Sequence, residues 1–298
     1  MGIADFSRIQ GSAEVFLVPK HIKVKPKPRG EAPQDVVVPR MRIQAIPSAM
    51  RQMGWTVSAA LMDRWFTSPG WAMPDDWKTK EGQPMAGQIP ASQLDTQLVS
   101  MEWAARYPRA IDAMRNLRAK CASGPTIGLL KKRLIDAGWC GVEGMELGRV
   151  GMTAPQLEDL CQVNIQPFGE SSDTIDDMYG ALGKATMKMA FVGAAGLSKS
   201  SGRKQFSLSH IGFYIRDNYD FNDEQFLGMW TEFGVLNKTE MAANVLLEGL
   251  ALDWHGEPIG KASNNSFRDF RAHTGRGGDF VVYSDVLWQT VDAILDLS

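Results

Sequence analysis

Cysteine is scarce in this chain of 298 residues: three occur, Cys121, Cys140 and Cys161. An odd number at wide spacing excludes a disulfide framework, and no paired Cys or His at short spacing offers a structural zinc site. The expectation is reduced, buried thiols. Charge of one sign is lacking too. Thirty-two Lys and Arg stand against 34 Asp and Glu, for a net charge of -2, which argues against a protein built around the nucleic-acid backbone. The longest apolar run, Met189 to Leu197, falls well short of the ~20 residues that span a bilayer. The opening stretch, MGIADFSRIQGSAEVFLVPK, carries Asp5 early and no signal-peptide core, and Phe6 stands where a myristoylation pattern needs Ser or Thr. The chain is therefore expected to be made in the cytoplasm without a Sec signal. No G-x-S-x-G elbow, P-loop, H-E-x-x-H pair or Rossmann glycine set occurs, so the standard serine hydrolase, NTPase, zincin and dinucleotide-binding readings drop out.

What remains is an ordinary soluble composition, 44% apolar and 22% charged, on a chain long enough for a substantial core. Residues 1–40 read as an extended arm. Prolines at 19, 26, 28, 33 and 39 work against regular structure, and Lys20, Lys23, Lys25, Lys27 and Arg29 alternate with apolar residues or Pro. Such an arm serves as a linker, an added edge strand, or a docking segment for a carrier or an anionic surface.

Residues 41–165 read as a helical part. Met50, Met53, Val57, Leu61 and Trp65 fall on one helical face between Pro47 and Phe66, with Ser48 as the expected N-cap. Ser68-Pro69-Gly70 ends this helix, and a Gly- and Pro-rich loop follows to residue 93. Helix resumes from about Asp95, is kinked or split at Tyr107-Pro108, and recurs over 126–137 and 155–161.

Near residue 173 the texture changes. Asp173 is expected to cap a short helix. Ala185, Met187, Met189 and Phe191 then alternate with Thr186, Lys188 and Ala190 at the period of a strand. GAAGLSKSSG, residues 193–202, reads as a flexible turn. In the next strand the apolar phase slips from Phe206 and Leu208 to Ile211, Phe213 and Ile215, which predicts a bulge near His210 and Gly212. A third strand is expected over 226–233, a helix from Thr239, and a short buried strand over 279–285, with a tail of mixed periodicity beyond. Residues 173–298 thus read as strand-rich. The fold class is α+β, a helical first half followed by a curved antiparallel sheet or open β-barrel with attached helices.

Chemistry concentrates in RDNYDFND, residues 216–223. Two carboxylates and a phenol at a strand end can bind a hard divalent cation or position a water for attack on phosphorus. They can equally form a polar turn in which Asp and Asn satisfy backbone amides while Tyr219 and Phe221 plug the end of a barrel. Asp217 and Tyr219 share one face of an extended strand, and Asp220 points away unless the chain turns.

Asp217-x-Tyr219-Asp220 resembles the Asp-x-Tyr-Asp motif of the colicin M family of bacteriocins, and the strands around it, ALGKATMKMAFVG and FYIRDNYDFN, resemble those that deliver the motif. The resemblance implies a metal-dependent hydrolase of lipid II, the undecaprenyl-pyrophosphate-linked peptidoglycan precursor, on an open barrel. Asp217, Tyr219 and Asp220 would be catalytic, and Asp217 and Asp220 would hold Mg2+ or another divalent cation. The family carries a His-Arg pair just beyond its motif, where this chain has Glu224, Gln225, Phe226 and Leu227. Its place would be taken from SFRDFRAHTGRGGDF, residues 266–280. There Arg271 and His273 would serve catalysis, and Arg268, with Arg216, would bind the substrate. The segments MRQMGWTVSAALMDRWF, YDF and GGDF also resemble an uncharacterised proteobacterial family whose members often sit near type VI secretion genes. That likeness implies an antibacterial effector delivered into the periplasm of a target cell, with a secretion carrier and an immunity protein as partners and a lipid-linked pyrophosphate at the membrane surface as substrate. The alternative is a non-catalytic protein of the same context: an adaptor, an immunity partner, or an effector acting by binding.

Overall fold

A computed structural model of the chain describes residues 20–23, 35–38, 41–79, 81–246 and 258–298. Its first elements are strands β1 (Lys20–Lys23) and β2 (Asp35–Val38), helices α1 (Ile46–Gln52) and α2 (Thr56–Thr67), and strand β3 (Leu94–Asp95). Helices α3 (Met101–Ala104), α4 (Pro108–Ala119) and α5 (Gly124–Asp136) follow, then β4 (Met145–Leu147), α6 (Ala154–Leu160), β5 (Gln162–Phe168) and α7 (Asp177–Leu182). Next come β6 (Ala185–Leu197), β7 (Lys204–Tyr219), β8 (Phe226–Thr231), β9 (Gly234–Val235) and α8 (Lys238–Leu246). The chain continues through β10 (Gly260–Ser263), α9 (Asn264–Thr274), β11 (Phe280–Tyr283) and β12 (Leu287–Asp296). This is the α+β fold with a curved sheet that the change of periodicity predicts. In the arm, β1 and β2 pair antiparallel, Lys20 opposite Val38. The segment Asp253-Trp254-His255-Gly256, whose sequence suggests a turn, lies outside the described residues.

Two compact units divide the chain, each assembled from three segments. One comprises residues 73–174, 182–219 and 280–298, the other residues 1–72, 175–181 and 220–279.

The first, the sheet unit, holds a seven-stranded sheet in the order β3-β11-β7-β6-β4, with β12 also on β7 and β5 also on β6. Every pairing is antiparallel except the short parallel one between β3 and β11. The 16-residue β7 is its spine. Its first part pairs with β12, from Gln205 opposite Asp296 to Phe213 opposite Leu287. Its last four residues pair with β11, from Arg216 opposite Tyr283 to Tyr219 opposite Phe280. Ile211 through Arg216 are all buried, so burial does not alternate there as the sequence does, because both faces are covered.

The expected bulge falls one residue earlier than the phase slip suggested. Val192 faces His210 and Gly193 faces Leu208, which leaves Ser209 as the extra residue. The Ser209 hydroxyl donates to the Val192 carbonyl at 3.0 Å. Gly193 admits no side chain, since a Cβ there would stand 2.1 Å from the Ser207 carbonyl oxygen. The glycines over 193–197 therefore extend β6, and the turn is confined to Ser198–Arg203, closed by a 2.8 Å bond between those two residues.

Several local expectations are corrected. Asp95 lies in β3, not in a helix, and its carboxylate accepts from the amides of Gln97 and Leu98. Helix begins at Met101 under a Ser100 cap. Asp176, not Asp173, accepts the Tyr179 amide that opens α7. The tail of mixed periodicity is strand β12. As expected, Tyr107-Pro108 separates two helices, α3 and α4.

In the second unit, the helix expected over 47–66 is two helices. Gly54, at φ 78°, breaks it. Ala45, not Ser48, occupies the N-cap of α1. No side chain of its own caps α2. Asp177 does so from α7, accepting from the Ser58 amide at 2.9 Å and the Val57 amide at 3.3 Å, while the Ser58 hydroxyl donates back to it at 2.6 Å. A carboxylate at the start of a helix satisfies orphan amides and meets the positive end of the dipole. The three-stranded sheet β10-β8-β9 buries Met229 with Leu236 and Ile259.

The core of this unit is aromatic. Trp65 meets Phe66, Phe221 and Phe267 edge-on at 4.9 to 5.3 Å, and Phe221 stacks flat on Phe267 at 4.0 Å. Asp279, 2% exposed, polarises one rim of the cluster. It accepts from the Trp65 indole at 2.8 Å and from the Asn222 amide at 3.1 Å, and it pairs with Arg271, whose guanidinium lies over the Trp65 ring. The GGDF glycines serve this packing. Gly277 has φ 95°, and a Cβ on it would stand 2.4 Å from the Trp65 ring.

Candidate functional site

The seven residues singled out above fall in both units. Arg216, Asp217 and Tyr219 belong to the sheet unit, and Asp220, Arg268, Arg271 and His273 to the other.

On β7, Asp217 is half-buried and stands opposite Val282 of β11. Tyr219, at the end of the strand, is buried and stacked on Phe280 at 5.1 Å. Beyond it the chain turns: the Asp220 carboxylate accepts from the Asn222 amide at 3.1 Å, the geometry of an Asx turn.

The basic segment lies on α9. Nη1 of Arg268 donates to the carbonyls of Phe221, Asn222 and Asp223, each at 2.9 Å, and its Nη2 donates to Asn265. Nε of Arg271 donates to the Gly277 carbonyl at 2.6 Å, and its Nη2 pairs with Asp279. His273 is exposed in the last turn, with Nδ1 2.7 Å from the Asp269 carbonyl oxygen. Arg268 thus holds the loop after the Asp-x-Tyr-Asp motif, and Arg271 holds the GGDF turn. Among the described residues, no three His, Cys, Asp or Glu side chains gather where they could hold a metal ion.

The sheet unit contains a polar cluster that the pattern alone does not announce. Lys188 alternates with apolar residues on β6, which suggests a solvent-facing side chain, yet it is 7% exposed and paired with Glu158 of α6. The second Glu158 oxygen accepts from the Tyr214 phenol at 2.6 Å, and Gln83 reaches the first at 3.3 Å. Lys188 and Tyr214 are register partners across β6 and β7, which is why one carboxylate serves both. Arg216 follows on the same face of β7. Its Nε donates to the Tyr283 phenol at 3.2 Å, and its guanidinium lies over that ring.

Burial dominates the protonation of the cluster. It lowers the pKa of the Lys188 ammonium, which Glu158 pulls part of the way back. It pushes both the Tyr214 and Tyr283 phenols up, and the Glu158 charge adds to each. The neighbouring Cys161 thiol is pushed by burial to about 12. A lysine held in its own ion pair and two phenols locked in the neutral form make a rigid polar layer between α6 and the sheet.

The profile of one family, described as a family of unknown function (DUF6402), matches residues 41–298. The chain belongs to the DUF6402 family. Its matched range begins directly after the Pro- and Lys-rich arm and takes in the motif, the basic helix and the buried cluster. No curated protein and no solved structure matches the chain. Among the described residues, no helix is long and apolar enough to cross a membrane.

Proposed function

We propose that this DUF6402 chain acts by binding, as a secretion-associated protein of the adaptor, immunity-partner or binding-effector kind. One observation carries this reading. Arg271, which with His273 would replace the missing His-Arg pair of a colicin M-like site, and Arg268, which would bind its substrate, direct their hydrogen bonds to protein carbonyls, to Asn265 and to Asp279. A guanidinium committed in this way would have to give up protein partners to grip a pyrophosphate. The secretion context rests on the likeness of the MRQMGWTVSAALMDRWF, YDF and GGDF segments.

A second reading is favoured by the Asp-x-Tyr-Asp motif itself: a metal-dependent hydrolase of lipid II, acting as an antibacterial toxin in the periplasm. Asp217 is half-buried at the end of the longest strand, where a carboxylate can position a water. Mg2+ is commonly held by one or two carboxylates together with substrate phosphate. Asp217 and Asp220 would fill that role here, and the ion would supply charge stabilisation at the pyrophosphate.

Expression of the full chain in the bacterial cytosol and, separately, in the periplasm, scored for lysis, separates the two readings. Purified wild type and Asp217→Ala are then incubated with lipid II and magnesium. Binding alone predicts no released product from either protein. Hydrolysis predicts periplasmic lysis and product from wild type, both lost in an Asp217→Ala protein that melts near normally.

A further inference from the structure

Two side chains on one face of β7 bury polar atoms that nothing among the described residues satisfies. Arg216 is 8% exposed, and its Nη2 is buried without a hydrogen-bond partner. Asn218, two residues along and so on the same face, buries its Oδ1 likewise unpartnered. Buried polar groups are almost always hydrogen-bonded, so two orphans side by side mark a place where a polar occupant belongs.

The charges around them identify that occupant. Glu158 is engaged by Lys188, Tyr214 and Gln83. Asp159 accepts from the amides of Ala86 and Gly87. Arg133 gives its guanidinium to the carbonyls of Glu158, Asp159 and Gln162. Among the described residues, Arg216 has only the Tyr283 phenol and ring, neither of which neutralises it. Lys188, Arg133 and Arg216 thus outnumber Glu158 and Asp159 by one positive charge. The register also leaves an approach. Arg216 faces Thr186, while Asn218 lies beyond the first residue of β6, Ala185, and has no partner on that strand.

We propose that Arg216 and Asn218 form a binding site for a small oxyanion, a carboxylate or phosphate group, seated on the face of β7 next to the Lys188–Glu158–Tyr214 layer. The guanidinium supplies charge and directed donors. The Asn218 amide offers its oxygen to a protonated ligand or, turned over, its NH2 to an unprotonated one. Arg216 is also the residue that the hydrolase reading gives to its substrate, but this site needs neither lipid II nor a secretion partner, and free phosphate or acetate tests it without testing hydrolysis.

The test is titration calorimetry and thermal melting of the full chain with sodium phosphate, sodium acetate and sodium chloride at matched ionic strength. Wild type is expected to bind phosphate or acetate saturably and to melt higher with it, and to respond to chloride only as to salt. A response to phosphate alone assigns a phosphate group, and to acetate alone a carboxylate. Arg216→Met should weaken the anion by about tenfold or more, the loss expected when a charged hydrogen bond goes. Because Arg216→Met removes a buried group and can disturb folding, Asn218→Asp is the deciding variant. It sets a permanent carboxylate beside Arg216, so it should melt at or above wild type and lose the anion response. Absence of saturable phosphate or acetate binding in wild type, or an undiminished response in Asn218→Asp, would overturn the proposal.

Discussion

Removing the Asp279 carboxylate tests how the second unit is held together. Asp279→Ala deletes acceptors used by the Trp65 indole and the Asn222 amide, and it strands the Arg271 guanidinium, whose side chain is 13% exposed. Breaking a buried ion pair by removing one partner costs about 3–5 kcal/mol, and each buried donor left unmet adds ~1 kcal/mol or more. Asp279→Asn retains shape and one acceptor oxygen, so its cost reflects mainly the lost charge and should be about half as large. The informative variant is the double, Asp279→Leu with Arg271→Met. Replacing a buried pair by apolar groups of similar size is often near neutral, so the double should be more stable than Asp279→Leu alone, with a coupling of ~2 kcal/mol. Urea unfolding followed by circular dichroism reads these differences as midpoint shifts. At a slope of ~3 kcal/mol per molar urea, Asp279→Ala should lower the midpoint by roughly 1–2 M. A shift below ~0.3 M, or strictly additive single and double variants, would refute the claim that this carboxylate organises the aromatic cluster.

Further outcomes follow from glycine geometry and from the thiols. Gly277→Ala should lose about 2–3 kcal/mol, because it combines a left-handed backbone with a collision against the Trp65 ring; Gly138→Ala, at the same φ of 95° with no atom within 4 Å, should lose only the backbone part, and paired thermal melts check the difference. At pH 8 iodoacetamide should modify Cys140 first, since that thiol is exposed and the amides of Val142 and Glu143 lower its pKa, while Cys161 should react only on unfolding, as mass spectrometry of timed aliquots would reveal. Alkaline pH should destabilise the fold. The protonated Cys161 thiol favours the folded state fully below pH 9.0, and that contribution is lost as pH rises from 9.0 toward about 12, with Tyr214 adding the same sign above 10.0. Lys188 acts oppositely, its buried charge being relieved as pH approaches 10.5, so Lys188→Met should steepen the fall in melting temperature measured between pH 8 and 11.

The parts of the fold that were legible rest on local periodicity. Apolar alternation along β6 and β7 is visible because the strands are long and one face is uniformly large, and the phase slip located the bulge to within a residue. Pro108 separated α3 from α4 because its ring cannot continue the preceding helix. Strand β12 was missed because one face of Leu287–Asp296 is largely exposed and carries apolar residues such as Ile294 there, which blurs its alternation. The polar centres were invisible for a different reason. Asp279 meets Trp65 across 214 residues and Asp177 meets Ser58 across 119, so no spacing rule joins them. Lys188 hid in a solvent-facing phase because helix α6 covers that face of the strand. The Asp-x-Tyr-Asp motif and the basic helix drew attention because their residues are close in sequence, whereas the unsatisfied Arg216 and Asn218 show only when burial and partners are known.

The threading of the sheet unit has a consequence for synthesis. Strand β7 receives β6 on one side early, because the two are joined by a short turn. Its other side is closed only by β11 and β12, supplied by residues 280–298. While the intervening 60 residues, 220–279, leave the ribosome, a 16-residue strand rich in Phe, Ile and Tyr exposes an unpaired edge. Such an edge is a template for pairing with another chain. A nascent chain halted before residue 280 is therefore a substrate for chaperones or aggregation, and fusing a bulky tag close behind Asp296 places it against the strand that seals the sheet.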